Sequence, residues 1–278
     1  MQLAVRDRAA AEETFVALFD AKKVSEDKVD VLAAKRTVMQ AGISEFELLE
    51  PDGDGLVRDF VAQRGEGLFA AGFSTLDVEA LSRRLSSHGV LWREEGGQVY
   101  IEPAQTPGLR MVLSEDAERE RVGVLTWLYE ATNIVDDHRA AAAFYAETFG
   151  LDASKFSPIA SKDYGYKGQL TLFDPPNRLD RIELSQITDP ERAMGRFAQK
   201  HGQSLYMCYV ETDRVPDMIE RLEKHGAKHA RRKDAHNPEG LFIHPTALHG
   251  VLMGVSRTNL AWNWSGRPEL SGVAPMAH

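Results

Sequence analysis

The two halves of this chain repeat one another, and the repeat limits the fold more than any other feature. Glu47 in FELLEP and Glu183 in IELSQI lie 136 residues apart. Phe73 and Tyr209, aromatic residues closing two short apolar strands, show the same offset. The helix-ending pairs His88-Gly89 and His225-Gly226 lie 137 apart. A shorter rhythm runs inside each half: a short apolar strand, a turn, an amphipathic helix, then alternating or apolar extended stretches. Its four starts are QLAVRD with RAAAEETFVALFDA, LFAAGFST with LDVEALSRRLSSHG, YEATNIVDD with HRAAAAFYAETFG, and LYMCYVETD with RVPDMIERLEKHG. Val78, Leu81 and Leu85 follow helical spacing, as do Val215, Ile219 and Leu222. PDGDG, TPG, DPPN and HPTALHG separate or close the extended stretches.

Each unit therefore reads as strand, helix and three strands. Four such units predict an α+β fold in which βαβββ units pair into two cup-shaped mixed β-sheets. The charged segment SEDAERERVG, residues 114–123, separates the halves. The expected organisation is a first domain over 1–118, a second over 119–257, and a tail over 258–278 that docks through Trp262 and Trp264. A length of 278 residues fits two domains of ~150 residues. A net charge of −9 argues against nucleic acid or an anionic membrane surface as the main partner, since both call for a basic footprint. The single cysteine, Cys208, allows no intramolecular disulfide. No apolar run approaches the ~18 residues of a membrane span. MQLAVRDRAAAEE lacks the basic-then-apolar order of a secretory signal, so the cytosol is the expected compartment.

Paired βαβββ units resemble the vicinal oxygen chelate, or glyoxalase, superfamily, and the resemblance runs over about residues 1–257. Locally, SEFELLEP followed by VRDFVAQRGEGLFAAGFSTLDVEALSRRLSSHGV is similar to methylmalonyl-CoA epimerases, as is LFIHPTALHGVLMGV. The resemblance implies a divalent metal in a cup, held by side chains from the first and last strands of each unit. In the first half the first-strand position falls before Met1, and the others fall on Glu47, Ala70 and Val112. This leaves a degenerate cup. In the second half they fall on Glu130, Glu183, Tyr206 and Gly254, which makes the second cup the candidate active site. Metal ligands would be Glu130 and Glu183, with Glu47 as a weaker candidate. Such an oxygen-rich set suits Mg²⁺ or Mn²⁺ better than Zn²⁺ or Fe²⁺, and a metal-free cup is the alternative. The set lacks the two His and one Glu expected of ring-cleaving extradiol dioxygenases, which leaves that reading as the weakest.

Glu130 and Glu183 sit between apolar neighbours in TWLYEATNIV and DRIELSQ. They face a cup interior as metal ligands or an acid–base pair, or they face solvent as ordinary strand glutamates. Tyr206 either steadies an enolate or lines the cup. Tyr129 and Tyr209 are candidate pocket walls and substrate contacts. His244 and His249, flanking the turn in IHPTALHG, either meet substrate or close the turn. RRKDAHNPEG, residues 231–240, could cover the second cup or meet an anionic substrate. The expected activity is that of an isomerase, epimerase or lyase moving a proton beside the carbonyl of a small ketone or acyl thioester, through Glu183, Glu130 and Tyr206. The alternative is a protein that sequesters a small molecule without chemistry. In the enzyme reading the first cup serves as a structural duplicate or a homodimer surface.

Overall fold

The structure is a computed structural model that describes residues 1–232, 239–257 and 259–272. The first half runs β1 (Gln2–Ala4), α1 (Arg8–Phe19), β2 (Lys22–Val29), β3 (Ala34–Ala41), β4 (Ser44–Pro51), α2 (Leu56–Arg64), β5 (Gly67–Thr75), α3 (Val78–Ser87), β6 (Arg93–Glu95), β7 (Gln98–Ile101) and β8 (Met111–Glu115). The second half repeats it: β9 (Trp127–Ile134), α4 (His138–Phe149), β10 (Ser157–Ser161), β11 (Tyr166–Leu172), β12 (Arg181–Ile187), α5 (Ala193–His201), β13 (Ser204–Thr212), α6 (Val215–Lys224), β14 (His229–Arg231), β15 (Leu241–Ile243) and β16 (Met253–Arg257). Four βαβββ units are thus present, as the repeat predicts.

Local chemistry starts the repeat helices. Asp7, Asp77 and Asp137 stand just before α1, α3 and α4, and each accepts a hydrogen bond from the backbone N–H three residues on. A carboxylate there satisfies a donor that has no partner inside the helix. The fourth repeat helix, α6, carries Pro216 in its first turn instead, where the missing N–H costs nothing.

Each half forms one eight-stranded sheet. The strand orders are β2-β3-β4-β1-β5-β8-β7-β6 and β10-β11-β12-β9-β13-β16-β15-β14. The first strands of paired units lie antiparallel at the centre, and the first and last strand of each unit run parallel. The outer strand β2 has no apolar rhythm: every residue before Val29 is exposed in KKVSEDKV. Charge on an edge strand discourages pairing with other chains, and here it also hides the strand from a reading based on alternation. The helices α2 and α5 between units likewise lie where only spacers are expected.

The register corrects one part of the repeat. Phe73 faces Leu113, whereas Tyr209 faces Gly254 and Val210 faces Val255. Phe73 therefore corresponds to Val210, not to Tyr209. An irregularity in β13 skips Tyr206 between Leu205 and Met207, and one in β5 skips Phe69 between Leu68 and Ala70. Tyr206 thus corresponds to Phe69 rather than Ala70. A bulge inserts one residue and turns the side chains beyond it, so an offset counted by eye misplaces a face.

One apolar core serves both halves. Phe15 and Phe19 of α1, Leu85 of α3, Tyr145 of α4 and Leu222 of α6 belong to a single buried cluster, together with one face of each sheet. These four helices therefore lie between the sheets, and the other two sheet faces look outward as separate cups. The halves close tightly at Gly250, which has φ +81°; a Cβ there would lie 1.9 Å from the Glu66 carbonyl oxygen. Only glycine meets both conditions.

Candidate functional site

Alternation along β12 places Arg181, Glu183 and Ser185 on the open face of the second sheet. From β9, Glu130 and Thr132 join them. Arg181 Nε donates to Glu130 Oε2 at 2.8 Å, and Thr132 Oγ1 donates to Glu130 Oε1 at 3.0 Å. The guanidinium also lies 4.7 Å from the centre of the Tyr129 ring, and its Nη1 donates to the Leu179 carbonyl at 3.3 Å. Its Nη2 is buried and has no protein partner. Ser185 Oγ donates to Glu183 Oε1 at 2.6 Å.

Burial raises the pKa of Glu183, and the negative charge of Glu130 raises it further, while the Ser185 hydroxyl and the Arg181 charge oppose the shift. Arg181, paired with Glu130, supplies the one countercharge beside these two carboxyls. Burial and the negative charges of Glu183 and Glu130 push the Tyr166 hydroxyl up. Glu211 of β13 is fully buried. Burial pushes its carboxyl up to about 8; its Oε1 accepts from the Asn259 N–H at 2.7 Å, and its Oε2 has no protein partner.

Aromatic side chains fill the rest of the cup. Tyr129, Met207, Tyr209, Ala261 and Trp262 form one buried cluster, with Tyr206, Phe242 and Trp264 packed against it. The segment after β16 thus lies against the cup, as the two tryptophans suggest. Arg232 donates to the Tyr209 hydroxyl at 2.7 Å, and its guanidinium stands over the Phe242 and Trp264 rings. Residues 233–238 of the basic loop lie outside the described residues.

The structure brings Glu130, Glu183, Tyr129 and Tyr209 together in one cup. Tyr206 is also on the cup wall, but its ring packs 4.9 Å from Phe197 of α5. The two histidines lie elsewhere. His244 closes its own turn, its Nδ1 accepting from the Thr246 N–H at 3.2 Å. His249 sits where the halves meet, beside Thr14 and Glu66. Arg181 and Glu211 went unnoticed in the sequence, although each lies two residues from a singled-out position and so shares its face.

The donor set does not fit the expected divalent ion. The Arg181 guanidinium already pairs with Glu130 inside the cup, and a second cation there would meet its charge at low dielectric. At the closing position of unit four, a Cβ on Gly254 would lie 2.1 Å from the Tyr209 ring, so an aromatic face fills the space of a ligand. Among the described residues no three His, Cys, Asp or Glu side chains converge.

The first cup carries a different polar set. Glu47 accepts from Gln2 Nε2 at 2.8 Å and from Gln98 Nε2 at 2.6 Å, and lies 3.3 Å from Arg36 Nη1. Tyr100 donates to Gln98 Oε1 at 2.7 Å. Helix α2 lays Phe60 and Val61 against the remaining wall. Glu47 is thus saturated by amides and a guanidinium, which leaves no free carboxylate for a metal.

Residues 129–253 match the Glyoxalase/Bleomycin resistance protein/Dioxygenase superfamily. A triple mutant of 4-hydroxymandelate synthase from Streptomyces coelicolor superposes over 92% of this chain and 90% of its own, with a TM-score of 0.69 at 13% identity. This is a likeness of fold. Methylmalonyl-CoA epimerase from Mycobacterium tuberculosis covers 48% of this chain and 89% of its own, with a TM-score of 0.43 at 22% identity. By sequence, the RNA polymerase-associated protein RapA of Pseudomonas fluorescens is 37% identical over 101 residues, 35% of this chain. The chain spans about a tenth of the length of that curated relative.

Proposed function

We propose, from the premise that this chain belongs through residues 129–253 to the glyoxalase, bleomycin-resistance protein and dioxygenase superfamily, that its second cup is a metal-free site of proton transfer beside a carbonyl. The observation that carries this is the buried Glu183 carboxyl, raised in pKa on the same sheet face as the Glu130–Arg181 ion pair, whose Arg181 Nη2 has no protein partner. Ionised Glu183 takes the proton from the carbon next to a ketone or thioester carbonyl. The C–H pair becomes a carbon–carbon double bond as the carbonyl π pair moves onto oxygen, and Arg181 Nη2 donates to the resulting enolate. Delivery of the proton to the other face or a neighbouring carbon completes an epimerisation or isomerisation. A fixed donor in a dry site stabilises the developing charge more than water does. A base whose pKa lies near the working pH is both available and strong enough. The Ser185 hydroxyl, 2.6 Å from Glu183 Oε1, holds the carboxyl in place.

In this reading Arg181 supplies the positive charge that a metal supplies elsewhere. The compounds to try are small 2-substituted acyl thioesters and ketones, methylmalonyl-CoA among them. The test is deuterium uptake from D₂O at the carbon beside the carbonyl, followed by mass spectrometry with the full chain. Uptake abolished by Glu183→Gln supports the proposal. Equal uptake in both proteins, or none with any compound, overturns it.

A second reading has its own support. Tyr129, Tyr209, Phe242, Trp262 and Trp264 make an aromatic cup suited to holding a flat molecule without chemistry. Saturable binding of an aromatic ligand that quenches tryptophan fluorescence, with no turnover, would favour it.

A further inference from the structure

The cleft where the halves meet holds a second group of reactive side chains, away from both cups. Thr14 Oγ1 on α1 lies 3.0 Å from His249 Nε2. On the other side of the ring, Glu66 Oε2 lies 3.3 Å from His249 Nδ1. Glu66 is itself held, because its Oε1 accepts from the Arg6 backbone N–H at 2.7 Å. Hydroxyl, imidazole and carboxylate thus follow one another within hydrogen-bond reach. This order makes a hydroxyl nucleophilic: the carboxylate fixes the imidazole, and the imidazole accepts the hydroxyl proton.

Two further observations point to a site. His249 has φ +45°, a left-handed backbone that a side chain with a Cβ rarely adopts. Such strain gathers where geometry serves function. The three side chains also line a cavity of about 510 Å³, together with Arg6, Pro245 and Thr246. That is room for a small acyl compound.

We infer that this cleft is a second active centre that cleaves small esters by acyl transfer, with Thr14 as nucleophile, His249 as base, Glu66 positioning the imidazole and Arg6 facing the oxyanion. Thr14 Oγ1 attacks the carbonyl carbon while its proton passes to His249 Nε2. The carbonyl electron pair returns, the bond to the alcohol oxygen breaks, and Nε2 gives the proton to the leaving alkoxide. Water then attacks acyl-Thr14; its proton goes to Nε2 and on to Thr14 Oγ1, which releases the acid. Thr14 Oγ1 also lies 3.0 Å from the Ala10 carbonyl of its own helix. Its proton therefore has two acceptors, and a turn of the hydroxyl away from Ala10 arms the nucleophile.

The experiment uses the full chain and 4-nitrophenyl acetate. The expected result is hydrolysis above the buffer rate, with an acetyl group trapped on Thr14 by acid quench and found by peptide mass spectrometry. Thr14→Val and His249→Gln each lose about 100-fold or more, and Thr14→Ser retains activity. If His249→Gln fails to fold, Glu66→Gln takes its place with a smaller loss. Unchanged hydrolysis in Thr14→Val, acetyl found only on other residues, or no hydrolysis by the native chain overturns the inference. Thr14 lies outside the second cup, so Thr14→Val leaves proton exchange there intact.

Discussion

Arg181 and Glu130 form an ion pair of 2.8 Å in which neither side chain reaches solvent. Removing two charges from water costs more than a lone pair returns, unless other bonds complete the set. Here Thr132, the Leu179 carbonyl and the Tyr129 face complete much of it. Arg181→Met leaves two buried carboxyls without a countercharge and should cost about 3–5 kcal/mol. Adding Glu130→Gln should recover most of that loss. Urea unfolding at fixed pH reads both; a double variant no better than the single one would show that packing, not charge, is at stake.

Glu183 must be ionised to accept a proton, and its pKa is raised. Proton exchange in the second cup should therefore climb as pH rises from about 6 to about 9. Glu183→Gln should lower it by about 10²–10⁴-fold. A profile that is flat over this range would remove Glu183 from the base role.

Glu211 tests pH dependence of stability. Its folded pKa is raised to about 8, above the ordinary carboxyl value, so the folded chain holds this proton more tightly than the unfolded one. The stability it contributes is full below the ordinary carboxyl pKa and is lost as pH rises through about 8. Glu183 is shifted in the same direction and adds to the decline. Glu211→Gln keeps an acceptor for the Asn259 N–H and should flatten the alkaline fall in Tm. An unchanged slope would mean that Glu211 does not titrate there.

The repeat was legible because strands, caps and helix spacing are local. Asp7, Asp77 and Asp137 announce helices in three residues each. Edge strand β2 was not legible, since its solvent-facing charges erase alternation. Glu130 and Glu183 could be found because a carboxylate between apolar neighbours is conspicuous. Arg181 could not be paired with Glu130 by inspection: they lie 51 residues apart, and only the parallel register of β9 with β12 makes them partners. His244 and His249 are close in sequence to cup strands, yet His244 turns back onto Thr246 and the turn between β15 and β16 carries His249 to the junction.

Gly250 is a test of that junction. A methyl group there meets a left-handed backbone and the Glu66 carbonyl at once. Gly250→Ala should cost more than about 2 kcal/mol and lower Tm accordingly. A loss of under about 0.5 kcal/mol would show that the halves can part slightly without penalty.

Trp262 is 4% exposed and packs in the cup cluster. Trp262→Ala should cost about 3–5 kcal/mol and leave a void. Added indole should then raise the Tm of the variant and not of the native chain, by mass action on the folded state. Equal response in both would mean that the void has collapsed.

The four repeat helices, α1, α3, α4 and α6, lie in one apolar cluster between the sheets. Neither half owns that cluster. Each provides one wall of a room that the other closes. A chain severed at the 114–123 segment would not yield two smaller proteins. It would yield two sheets with oily backs, each soluble only while holding the other.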